Sequence, residues 1–76
     1  MQQKQIEIEK MMFGDYRVQA WDENLESMLD REYFCRGLGS AMLTAKYVKR
    51  DLFPNLPVFI REVDNLREID IEQVII

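Results

Sequence analysis

The chain has 76 residues, enough for one domain (residues 1–76) and too few for two. Its net charge of −4 argues against a general affinity for nucleic acids, since such an affinity requires a basic surface. The sequence contains no histidine, the usual general base and the commonest zinc ligand, so we expect no enzyme activity, no cofactor and no metal site.

An N-terminal β-hairpin is predicted by two segments of alternating polarity. Residues 6–9 (IEIE) and 16–20 (YRVQA) alternate apolar and polar side chains, which is the period of a half-buried strand. Gly14 and Asp15 between them suit a turn.

Three consecutive apolar residues, Met11, Met12 and Phe13, precede this turn. They cannot all face one side of a strand. We therefore expect at least one of them to be exposed or to contact a partner.

Two helices are predicted in the middle of the chain. Asp22 and Asn24 are suitable N-caps for a first helix that contains residues 25–29. A second helix ends before Pro54. Its apolar face, which we expect to pack on the sheet, consists of Leu38, Ala41, Met42, Ala45, Val48 and Leu52.

The segment CRGLGSAML (residues 35–43) places two glycines before a helical pattern, as phosphate-binding loops do. It resembles the acyl-CoA loop of the GNAT family of N-acetyltransferases, whose Arg/Gln-x-x-Gly-x-Gly/Ala signature opens the helix beneath the coenzyme pyrophosphate. Aligned on Gly37 and Gly39, the charged position of the signature falls on Phe34. The residues before the loop are predicted as helix, where that family has a strand. We interpret the glycines as a break between two helices.

Two strands are predicted after Pro57, over residues 58–63 and from Ile69 onward, with a loop at residues 64–67. The element order is then ββααββ. This order predicts an α+β fold with a small single-layer antiparallel sheet of two hairpins and two helices packed on one face.

Four carboxylates lie on the polar faces of the first and last predicted strands: Glu7, Glu9, Asp70 and Glu72. If these strands are adjacent, the carboxylates would bind a divalent cation or imitate DNA phosphates. A solvated sheet face is the simpler interpretation, and whether the four cluster stays open.

Residues 31–50 carry a local charge of +4, with Arg31, Arg36, Lys46, Lys49 and Arg50 against Glu32. Together with Tyr33, Phe34 and Tyr47 they would suit single-stranded nucleic acid. The solvated side of a helix explains the same charges more simply.

The polar N-terminal residues, the short apolar runs and the single cysteine, Cys35, indicate a cytoplasmic protein that does not enter membranes. By elimination we expect a small non-enzymatic protein-binding module, a regulator or inhibitor of a partner protein. The alternatives are a nucleic-acid-binding domain that uses residues 31–50 and a small acyl-CoA-binding protein of the acetyltransferase type.

The apolar C-terminal residues 74–76 continue a strand whose edge would pair with another strand, so a homodimer is also expected. The predicted partner-binding residues are Met11, Met12, Phe13, Asp70, Glu72, Val74, Ile75 and Ile76.

Overall fold

The computed structural model describes residues 3–73, which form a five-stranded sheet and a 14-residue helix. The strands are β1 (Gln5–Lys10), β2 (Tyr16–Trp21), β3 (Tyr33–Cys35), β4 (Val58–Glu62) and β5 (Asn65–Ile69); α1 spans Leu38–Asp51, and a 3-10 helix spans Ile71–Gln73. The strand order in the sheet is β3-β2-β1-β4-β5. β1 and β4 are parallel, and the other neighbouring pairs are antiparallel.

The α+β class is confirmed, but the predicted ββααββ arrangement of two hairpins and two helices is wrong. The described residues contain one α-helix, α1. The segment predicted as the other helix forms a turn and the short strand β3. The sheet is mixed, because the chain crosses over through α1 between β1 and β4.

The first hairpin is confirmed, and its turn has a defined geometry. The N–H of Met11 donates to the carbonyl of Asp15 at 2.7 Å, and the N–H of Gly14 donates to the carbonyl of Met11 at 3.2 Å. Gly14 has a φ of 91°, a conformation that favours glycine. This turn holds Met12 and Phe13 at its centre, away from the core.

The first predicted helix is absent because Asp22 caps a tight turn instead of a helix. Its Oδ1 accepts hydrogen bonds from the N–H groups of Asn24 at 2.8 Å and Glu26 at 2.9 Å. Leu25 between them has a φ of 63°, which interrupts any right-handed helix. The same side chain that suits an N-cap therefore supports an Asx-type turn.

After this turn the chain rejoins the sheet. The N–H of Met28 donates to the carbonyl of Ala20 at 2.7 Å, and β3 pairs with β2, with Cys35 opposite Tyr16. Gly37 is the N-cap of α1. Gly37 therefore separates a strand from a helix and Gly39 lies in the first turn of that helix, so the predicted break between two helices is wrong.

The core lies between α1 and one face of the sheet. Its buried residues are Ile6, Ile8, Val18, Ala20, Val58 and Ile60 from the sheet, Ala41, Ala45 and Val48 from α1, and Ile71 from the 3-10 helix. The predicted helix face is thus correct at its centre. Leu38 and Leu52 are 39% and 46% exposed because they lie at the first residue and the C-cap of α1.

The last strand lies earlier in the chain than predicted: β5 ends at Ile69, where the predicted strand began. The turn is formed by Val63 and Asp64, and β5 occupies most of the predicted loop. Ile71 is 2% exposed and packs in the core. Residues 74–76 lie outside the described residues. No helix in residues 3–73 is long and apolar enough to cross a membrane.

Candidate functional site: two exposed hairpin turns

Two hairpin turns lie side by side at one end of the sheet. β1 and β4 are parallel neighbours, with Glu9 opposite Arg61. Each of these strands runs one residue further before its turn begins, so the turn at residues 11–15 and the turn at residues 63–64 leave the same edge of the sheet. We call these two turns together the turn end.

The turn end carries three apolar side chains that the core does not use. Met12 is 90% exposed, Phe13 is 91% exposed and Val63 is 90% exposed. Turn centres usually carry Gly, Asn, Asp or Pro, because those residues fit the backbone or bond to it locally. The folding of the hairpins does not account for the apolar residues. The predicted exposure in residues 11–13 is thus observed; contact with a partner stays a prediction.

Val63 also has an unfavourable backbone conformation. Its φ is 31°, and positive φ is rare for a β-branched residue such as valine. Strain of this kind costs on the order of 1–3 kcal/mol and is concentrated at functional sites. The conformation would be easier for glycine or asparagine, so the sequence retains an apolar side chain here against the local preference.

The rim of the turn end is acidic. Asp15 and Asp64 lie in the two turns and are exposed, and Glu62 ends β4. Lys10 is the cation that ends β1, and Arg67 lies 4.0 Å from Glu62. The two turns themselves thus carry two carboxylates and no cationic side chain.

The sheet face opposite α1 is polar and internally paired. The side chain of Glu7 is 4% exposed, and Nε and Nη2 of Arg61 donate to it at 2.8 and 3.3 Å. Nε2 of Gln5 donates to the same carboxylate at 2.9 Å. The hydrogen bonds that Arg61 donates to Glu7 raise the pKa of its guanidinium. The charge of the carboxylate is balanced by the Arg61 guanidinium, which fits a structural role.

Arg17 forms a second ion-paired group on this face. It pairs with Glu9 and, at 3.1 Å, with Glu32, and its guanidinium lies 6.0 Å from the centre of the Trp21 ring. A shallow cavity of about 240 Å³ lies beside these groups. Its arginines are already engaged by carboxylates, so the cavity offers no unbalanced charge to a ligand.

The four predicted carboxylates do not cluster. β4 separates β1, which carries Glu7 and Glu9, from β5, and Asp70 follows β5. Oδ1 of Asp70 accepts a hydrogen bond from the N–H of Glu72 at 3.2 Å. Within residues 3–73, no group of three or more His, Cys, Asp or Glu side chains is placed to hold a metal ion.

The basic segment is partly engaged within the protein. Nζ of Lys49 donates to the carbonyl oxygens of Pro54 at 3.0 Å and Leu56 at 2.7 Å, which fixes the loop after α1. Arg50 pairs with Asp51 at 2.9 Å, and this hydrogen bond lowers the pKa of the Asp51 carboxyl. The geometry gives no specific support to a nucleic-acid site here.

In the structure a strand, β3, precedes α1 at the glycine segment. The sequence had predicted a helix at this place. The space beside Gly37 and Gly39 is open, with no atom within 4 Å of the place where a Cβ would lie. Neither glycine is therefore required by a close approach of the protein to its own backbone. A helix N-terminus alone does not define a coenzyme site.

The predicted partner-binding residues do not form one surface. Residues 11–13 lie at the turn end, whereas Asp70 and Glu72 follow β5 at the opposite end of the sheet. Val74, Ile75 and Ile76 lie outside the described residues. Val63 was missed, although it breaks the alternation of Val58 and Ile60 and so signals an exposed apolar position.

Comparisons with known proteins assign no family and no fold relative. No protein-family model matches the chain, and no curated protein or solved structure matches it significantly. The turn end is therefore the feature on which a functional proposal rests.

Proposed function

We propose that the protein is a small non-enzymatic binding module that docks onto a partner protein through the turn end, as a regulator or inhibitor of that partner. The observation that carries this proposal is the exposure of Met12, Phe13 and Val63, each 90% or more, on adjacent turns. Clustered exposed apolar side chains mark interaction sites. The single cysteine fits a cytoplasmic location.

The turn end would act as the anchor of a larger contact. Burying Met12, Phe13 and Val63 contributes about 1.5–3 kcal/mol each, whereas association costs about 4–15 kcal/mol. A standard interface covers about 800 Å² per partner, or about 15% of the 5240 Å² surface of the described protein. Polar neighbours of the two turns would supply the remaining area, as the rim of an interface does.

The acidic residues of the two turns support a protein partner over a nucleic acid or an acidic membrane surface. Asp15 and Asp64 lie in the same turns as the apolar side chains and would repel phosphates and acidic lipid headgroups. A partner pocket with an apolar floor and a basic rim would be complementary to both features.

Site-specific photo-crosslinking tests the proposal. A benzophenone side chain replaces Phe13, and in a control protein it replaces Leu43, which is 52% exposed on the outer side of α1. In extracts of the native host, we expect a defined ultraviolet-dependent adduct from position 13 and none from position 43. Equal labelling from both positions, or no adduct from either, would contradict the proposal.

A competition step ties the adduct to the apolar side chains. Unlabelled protein should suppress the adduct, and the Met12→Ser and Val63→Ser variants should suppress it less. Leu43→Ser, at an exposed position outside the turns, should compete like the unmodified protein. Thermal unfolding confirms that each competitor is folded.

A further inference from the structure

The methionines of the protein fall into two groups by exposure. Met12, in the turn between β1 and β2, is 90% exposed. Met11, Met28 and Met42 are half-buried, and the last two of these pack against the hydrophobic core. Among the methionines of residues 3–73, Met12 is therefore the one whose side chain lies almost wholly in solvent.

Exposure decides how readily the thioether of a methionine is oxidised. Hydrogen peroxide, a two-electron oxidant, transfers one oxygen atom to the sulfur. The O–O bond breaks, an S–O bond forms, and the second oxygen of the peroxide leaves as water. The sulfur loses the two electrons that the peroxide gains. Methionine sulfoxide reductases reverse the step with a dithiol, which becomes a disulfide as the sulfoxide oxygen leaves as water.

Oxidation has different consequences in the two groups of methionines. A sulfoxide is polar, so at Met28 or Met42 it would press a polar oxygen against the core and destabilise the fold. At Met12 the added oxygen would meet water, and the fold would keep its stability. Oxidation at Met12 thus changes the chemistry of the surface without unfolding the protein, which a reversible modification requires.

We propose that Met12 is a methionine-oxidation site, and that its sulfoxide switches off the turn end as a docking surface. This inference rests on the proposed function, since it concerns the regulation of the same surface. Met12 precedes Phe13 in one turn and Val63 lies in the neighbouring turn, so the sulfoxide would enter the contact among apolar side chains. A polar oxygen that loses its water there opposes docking.

Limited oxidation with hydrogen peroxide, followed by tryptic digestion and mass spectrometry, tests the site. Met28 and Met42 lie on separate tryptic peptides, residues 18–31 and 37–46, and fragment ions separate Met11 from Met12 in the peptide of residues 11–17. The folded protein should gain one oxygen at Met12 before the other two peptides change, and its melting temperature should stay the same. Equal rates at Met12 and Met42, or a lower melting temperature after oxidation at Met12, would overturn the inference.

The crosslinking competition measures the effect of the sulfoxide on docking. The unlabelled competitor is oxidised at Met12, freed of peroxide and added to the extract that contains the position-13 probe. Because the apolar burial of Met12 is lost, about tenfold more of the oxidised competitor should be needed to suppress the adduct. Treatment of the competitor with a methionine sulfoxide reductase and a dithiol should restore its potency.

The Met12→Leu variant is the matched control. Leucine keeps an apolar side chain of similar volume but has no sulfur, so this variant should compete like the unmodified protein before and after peroxide treatment. It retains the remaining methionines and Cys35, a free thiol that peroxide also oxidises. A loss of competition in the peroxide-treated Met12→Leu variant would assign the effect to another residue and overturn the inference.

Failure of this inference is separable from failure of the proposed function. If oxidised and unmodified competitors suppress the position-13 adduct equally, Met12 does not regulate docking, whereas the binding module stands. The absence of any adduct would remove both.

Discussion

Val63 combines a φ of 31° with a side chain that is 90% exposed, so it costs stability without contributing to the core. Sites that bind partners often retain residues that a purely structural criterion would replace. At the scale of single residues, the turn end is therefore where stability and binding should respond in opposite directions to the same substitution.

The Val63→Asn variant should unfold at higher urea concentration than the unmodified protein. Asparagine adopts positive φ readily, and relief of the strain should raise the free energy of unfolding by about 1 kcal/mol. Val63→Thr keeps the β-branch and should show no such gain. Both variants should weaken crosslinking from position 13. A gain of equal size in Val63→Thr would show that backbone strain is not the cause.

The ion pair between the buried Glu7 and the partly exposed Arg61 gives the second residue-scale prediction. Arg61→Ala would leave the carboxylate of Glu7, 4% exposed, without its guanidinium partner, and we expect a loss of about 1–3 kcal/mol in the free energy of unfolding. Arg67→Ala removes a 57% exposed arginine 4.0 Å from Glu62 and should cost less than about 0.5 kcal/mol. Urea denaturation compares the two, and equal losses would contradict the structural role of the pair.

At the scale of elements, the sequence predicted correctly those strands and that helix whose apolar residues follow a regular local spacing. The alternation in residues 6–9 and 16–20 identified β1 and β2, and the helical spacing after Gly39 identified α1. Residues 22–35 were assigned wrongly because Asp22 caps a turn as readily as a helix. The three-residue β3 exists through pairing with β2, which no local pattern encodes.

The candidate site was predictable to a similar extent. Three consecutive apolar residues at positions 11–13 predict exposure from the sequence alone, since a strand has only two faces. Val63 breaks the alternation of Val58 and Ile60, but the predicted strand continued through residue 63, so the turn that exposes Val63 was not recognised. That the turn with Val63 leaves the same edge of the sheet as the turn with Phe13 follows from the parallel pairing of β1 with β4, which joins segments on either side of α1 in the chain.

Two glycines in different elements should respond oppositely to alanine. Gly39 lies in the first turn of α1 with open space beside it, so Gly39→Ala should stabilise the protein by about 0.5–1 kcal/mol through helix propensity. Gly14 has a φ of 91°, so Gly14→Ala should destabilise it by more than that gain. Melting temperatures measure both. A destabilising Gly39→Ala would indicate that the start of α1 is wrongly placed.

At the scale of the whole molecule, β1 connects every layer of the fold. It lies in the middle of the sheet between β2 and β4, and its Ile6 and Ile8 are fully buried beneath α1. β5, by contrast, pairs on one side with β4, and its first four residues are exposed. The amides of β1 therefore become exposed to solvent only when much of the structure unfolds, whereas those of β5 need a smaller local opening.

Native-state hydrogen exchange should separate these two strands. Amides of β1 are bonded within a central strand, so they should exchange only through global unfolding and share one free energy. Amides of β5 and of the turn at residues 11–15 should exchange through local opening, with smaller free energies that respond weakly to denaturant.

Ile8→Ala, which truncates a fully buried side chain, should lower the free energy of unfolding by about 2–5 kcal/mol. It should accelerate exchange throughout β1 and leave the locally opening amides of β5 nearly unchanged. Protection of β5 amides as strong as that of β1 amides would require β5 to lie inside the sheet, which would contradict the strand order β3-β2-β1-β4-β5.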